Sequence, residues 1–81
     1  MEPDIKKRIV EDFGGDAVKA IHLMEVFEAE SKFGSRVSRC VVVLANGDMD
    51  KLREFIGYAE EDWRDVIMWG EKAPLEFNKP F

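Results

Sequence analysis

The stretch VSRCVVVLANGDMDKL, residues 37–52, decides the fold of this chain. A valine run followed by Asn46-Gly47 has the pattern of a β-hairpin with a two-residue turn. The same letters also spell a buried helix, its stop, and the start of another helix. The residues beyond the turn separate these two possibilities. A hairpin needs a second β-rich run there, whereas DMDKLREFIGYAEED places Leu52, Phe55, Ile56 and Ala59 at helical spacing, with Lys, Arg and Glu between them. Asp48 then becomes an N-cap, and Asn46-Gly47 the left-handed end of the preceding helix. Val37, Cys40, Val41 and Leu44 follow the i, i+3, i+4, i+7 template of that helix. Val42 and Val43 fall outside the template. An αα-hairpin is expected at Asn46-Gly47.

Helical signals continue on both sides. Pro3 suits a first turn, and a helix to Phe13 would gather Ile5, Ile9, Val10 and Phe13 on one side before Gly14-Gly15 ends it. Lys6-Lys7-Arg8 is expected to be a solvated face of that helix. Asp16 is a candidate N-cap for a second helix, whose apolar face would hold Ala17, Ala20, Ile21, Leu23, Met24 and Phe27. Val18, Val26 and Ala29 lie on its other side, which points to contact on two faces. Gly34 breaks the chain, and Ser35 is a candidate cap for the helix of the valine run. Toward the C-terminus, Asp62 and Asp65 resemble a capping box before Trp63, Val66 and Ile67. Pro74 and Pro80 mark a tail at about 73–81 that is not expected to extend the last helix. The expected fold is all-α: a compact bundle of four to five short helices, the second and third most central.

The chain has 81 residues, enough for one domain over 1–81 and no second core. Its hydrophobic share of 46% and charged share of 36% suit a folded domain rather than a disordered one. A core this small leaves a thin stability margin, which self-association would widen. A net charge of −5 repels phosphate backbones and disfavours non-specific nucleic-acid binding. One cysteine makes no internal disulfide, the N-terminus lacks the apolar stretch of a signal peptide, and no run approaches a membrane span. A cytoplasmic location is expected.

Catalytic and metal-binding sets do not assemble from these residues. One histidine and one cysteine fall short of a zinc site, so metal and cofactor sites are expected to be none. His22 and Glu25 have the spacing of di-metal carboxylate bundles, but in reversed order and without a second histidine. His22 is therefore expected on the surface. Asn46, Asp48 and Asp50 alternate as in a calcium loop, yet Lys51 and Gly57 occupy the positions that need Gly and Glu. Cys40 lies on an apolar face, where a thiol is structural rather than nucleophilic.

The segment RVSRCVVVLANGDMDKLREFIGYAEEDWRDVIMWGE, from Arg36 to Glu71, resembles a group of small bacterial proteins with no assigned activity. Arg39-Cys40, Gly47-Asp48, Lys51-Leu52, Arg64-Asp65-Val66 and Trp69 carry the likeness. The resemblance implies bacterial origin and helical structure, and no particular function.

Two functional expectations remain. Tyr58, Met68 and Trp69 fall off the apolar stripes of their helices, and with Arg64 they have the character of interface anchors. The favoured expectation is a non-catalytic, self-associating protein–protein interaction module, with these four as partner-binding residues. The opposing possibility is that the tail, through Phe77 or Phe81, covers them. The competing functional expectation is a helix-turn-helix-like DNA binder: Gly34 would sit at the turn, and Arg36 and Arg39 would open the second helix. The acidic charge and the Val-Val-Val-Leu run argue against it.

Overall fold

The computed structural model describes the backbone of residues 1–77 and the side chains of residues 1–72. It is all-α, with no strand among the described residues. In chain order it has α1 (Pro3–Phe13), a single 3₁₀ turn (Gly14–Asp16), α2 (Ala17–Ser31), α3 (Ser35–Ala45) and α4 (Met49–Phe77). The two segments expected after Asp48 are both present and meet at a kink with no loop between them. α4 thus consists of two helical stretches divided where Asp62 adopts extended dihedrals (φ −152°, ψ 93°). The second also continues to Phe77, past Pro74, where a tail was expected. A proline forfeits one helical hydrogen bond without obliging the chain to leave the helix. The expected covering of Trp69 by the tail concerns side chains outside the described residues.

The segment 37–52 forms two consecutive helices joined by a tight turn and no hairpin of strands. Asn46 ends α3 in the left-handed region (φ 49°) while its N–H donates to the Val42 carbonyl. Gly47 follows at φ 82°, and a Cβ there would collide with the Asp12 carbonyl of α1. Both residue types suit this stop, since Asn tolerates positive φ and Gly adopts it without strain. Asp48 then caps α4, its Oδ1 accepting from the Asp50 N–H (2.8 Å) and the Lys51 N–H (3.2 Å).

The core centres on α3. Val37, Ser38, Cys40, Val41, Val42, Val43 and Ala45 are all buried, which explains the residues that break its amphipathic pattern. A helix apolar all round is one enclosed by its neighbours. Its most extended contact is with α4, through Leu52, Ile56, Ala59 and Val66, while Ile5, Ile9 and Phe13 of α1 and Met24 and Phe27 of α2 complete the same cluster. The Cα radius of gyration, 11.1 Å, is close to the ~12 Å of a chain this long folded around one core.

Several local expectations are corrected. Val10 is exposed, and Arg8 is buried in its place on α1. Arg8 survives there because its Nε donates to Asp12 Oδ2 at 2.8 Å, with both side chains almost fully enclosed. Asp16 makes no cap hydrogen bond: the 3₁₀ turn carries α1 almost directly into α2, so Asp16 (φ −92°, ψ 4°) lacks the extended shape a cap needs. Ser35 is the first residue of α3, and Gly34 holds the capping position without a side chain. Trp63, expected in an apolar stripe, is exposed at the Asp62 corner, whereas Val66 is fully buried. Val18 and Val26 are exposed on α2, so among the described residues that helix packs on one face only.

Candidate interaction surface

The break at Asp62 builds the candidate site. Tyr58 and Trp69 are eleven positions apart, a separation of about 16 Å along a straight helix. Their ring centroids are 5.8 Å apart because the chain turns between them. Asp62 makes the turn stable as well as possible. Its extended backbone opens the helix, and its Oδ1 accepts from the Arg64 N–H (3.1 Å), as an N-cap does. The expected cap is present at Asp62, but no returning hydrogen bond from Asp65 joins it among the described residues.

Phe55 completes a triad of rings. It lies 5.7 Å from Tyr58 and 6.4 Å from Trp69, and all three pairings are edge-to-face. That geometry places each ring's positive edge against a neighbour's negative face. Leu44 of α3 and Lys72 join the triad as walls of an open cavity of about 420 Å³. Among the described residues, Tyr58 (39% exposed) and Trp69 (38%) keep surface uncovered. The Tyr58 hydroxyl donates to Glu54 Oε1 at 3.0 Å, and that bond with the adjacent negative charge raises the phenol above its ordinary pKa.

Of the four residues expected to bind a partner, the structure brings two together. Tyr58 and Trp69 share the cavity; Arg64 and Met68 do not line it. Met68 is half exposed, and Arg64 turns to Asp62, its Nε 3.3 Å from Oδ1. Sequence reasoning missed Phe55 and Leu44, since both obey a core pattern and are only partly buried. It also missed Lys72, which no periodicity singles out.

The arginines of the DNA-binding expectation are engaged within the fold. Arg36 forms a two-point pair with Glu71 (2.7 and 2.9 Å), and Arg39 does the same with Asp4 (2.9 and 3.1 Å). These hydrogen bonds, foremost among the causes, hold the Asp4 and Glu71 carboxyls below their ordinary pKa and raise both arginines. The helix carrying them, α3, is buried over seven of its eleven residues, and Arg36 and Arg39 stand on the edge that reaches solvent.

Cys40 is also accounted for. It is buried, its Sγ lies 3.9 Å from the Ile67 carbonyl, and burial pushes its thiol up to about 11. A thiol so placed is a poor nucleophile. His22 is exposed, and among the described residues no group of three or more His, Cys, Asp or Glu side chains could hold a metal ion. No described helix is long and apolar enough to cross a membrane. The chain matches no protein-family model, and comparison with curated proteins and with solved structures gives no match.

Proposed function

We propose that this protein is a small, non-catalytic interaction module that self-associates through the surface made by Phe55, Tyr58 and Trp69. The observation that carries this reading is the corner at Asp62. A capped break in α4 holds two half-exposed aromatic rings together at the mouth of an open cavity. Large rings held rigid by one another lose little freedom on binding, and such residues dominate interface energetics. A second copy supplies the same apolar surface and adds to a core that is small for a free-standing domain. DNA binding has no comparable support, because Arg36 and Arg39 would have to abandon Glu71 and Asp4 to meet phosphate. Bacterial origin and a cytoplasmic setting belong to the same proposal.

Sedimentation equilibrium tests it. The chain is expected to be a reversible dimer, strengthened by salt because each copy carries a net charge of −5 that salt screens. Trp69→Ala is expected to return it to monomer while leaving it folded by far-UV circular dichroism. A strictly monomeric chain at millimolar concentration overturns the proposal.

A further inference from the structure

A second aromatic cleft lies at the other side of the Asp62 corner. Phe27 and Phe33 have ring centroids 6.0 Å apart, and Phe33 stands 6.3 Å from Trp63. Phe27, Phe33, Ser31, Glu30 and Glu60 line a cavity of about 230 Å³, below the ~300 Å³ at which small-molecule pockets usually begin and suited to one long side chain. Phe27 forms the buried floor, and Trp63 is 42% exposed beside Phe33.

The charges of this cleft are one-sided. Glu30 and Glu60 face it from α2 and α4, and no lining residue is basic. Six other carboxylates in the described chain, those of Asp4, Asp12, Glu28, Asp50, Asp62 and Glu71, stand in ion pairs. Glu30 and Glu60 have no hydrogen-bond or ion-pair partner among the described residues. Lys32, which falls between the lining residues Ser31 and Phe33 in sequence, closes α2 in the left-handed region, is exposed, and does not line the cleft. The overall charge of −5 extends that field into solvent.

We infer that this cleft receives an arginine side chain from a partner polypeptide. A guanidinium satisfies both halves of the lining at once. Its flat face stacks on aromatic rings, and its N–H edge pairs with carboxylates. A lysine ammonium offers neither the plane nor the fork. The surface is separate from the Tyr58–Trp69 cavity, so the inference does not depend on self-association.

The test is a titration of ¹⁵N-labelled protein with a capped Gly-Gly-Arg-Gly-Gly peptide, followed by amide and indole shifts at low salt. Saturable shifts are expected at Ser31, Phe33, Glu60 and the Trp63 indole. Replacing arginine by citrulline keeps the shape, removes the charge, and is expected to abolish them. The Glu30→Gln/Glu60→Gln variant, whose exposed positions leave the fold intact, is expected to bind about tenfold more weakly. Trp69→Ala is expected to bind as the parent does, which separates this site from the self-association surface. Equal binding of the citrulline peptide, or unchanged affinity in the double variant, overturns the inference. So does an absence of shifts around Trp63.

Discussion

Trp69 and Gly70 are neighbours on α4, yet they face opposite regimes of packing. Gly70 is buried against α3 so closely that a Cβ on it would collide with the Cβ of Cys40 and lie 2.7 Å from its Cα and Sγ. Trp69 stands on an open cavity with 38% of its surface exposed. One hundred degrees of helical rotation thus separates a seam with no spare volume from a surface with volume to fill. Where backbone meets backbone, the smallest side chain is required, and the cost of change is steric. Where rings meet solvent, large side chains are tolerated, and the consequence of change lies in binding.

The largest test of that contrast is Gly70→Ala. The added carbon meets Cys40 at its Cβ, Cα and Sγ, at the root of the side chain and not the far end of a long flexible one, so α3 and α4 must separate. A loss of about 3 kcal/mol is expected, lowering the thermal midpoint by roughly 15 °C. Cys40→Gly in the same chain removes the opposing Cβ and is expected to restore part of the loss, whereas Cys40→Ala is not. Alkylation gives a second readout. With its thiol raised from 9.0 to about 11, native Cys40 is expected to react about a hundredfold more slowly than in urea, and Gly70→Ala to narrow that gap. Equal stability of Gly70→Ala and Trp69→Ala would break the comparison.

A smaller effect is expected at the corner between the two regimes. Asp62→Ala removes the cap that receives the Arg64 N–H and is expected to cost about 1 kcal/mol. Near-UV circular dichroism should weaken more than that loss suggests, because the corner sets the Tyr58–Trp69 approach of 5.8 Å. Unchanged aromatic signals in a folded Asp62→Ala would show that packing against α3, and not the cap, holds the rings together.

These particulars also mark what the sequence could disclose. The stop at Asn46-Gly47 and the cap at Asp48 were legible because both are local: residue type answers directly to φ or to a nearby N–H. The cap at Asp62 was legible for the same reason. The pairing of Gly70 with Cys40 was not, since thirty positions separate the two and a glycine that allows close approach does not name its partner. The exchange of Val10 for Arg8 in the core was hidden by composition, because a Lys-Lys-Arg run has the character of solvated surface until its Asp12 partner is placed. Half of the candidate surface could be anticipated. Tyr58 and Trp69 leave their stripes visibly, but their meeting depends on how sharply one extended residue turns the chain.

The smallest effect is expected at the two ion pairs that tie α3 to its neighbours, and it is the one that pH isolates. Arg39 holds the Asp4 carboxyl, and Arg36 the Glu71 carboxyl, below their ordinary values of 3.8 and 4.5. A folded pKa below the unfolded one means that the unfolded chain binds the proton more readily. The contribution of each pair is therefore complete above the ordinary carboxylate range and is lost as pH falls through the lowered values. Both pairs are solvent-exposed, with Arg36 and Glu71 at 68% and 50%, so solvent screening keeps the effect slight. The expected result is a small gap in urea midpoint between the parent and Arg36→Gln/Arg39→Gln at pH 7, closing near pH 2 and shrinking in molar salt. A gap that persists at pH 2 would mean that the arginines stabilise α3 by packing their stems along the helices. The seam at Gly70 would then extend further along α3 than its Cβ contacts indicate.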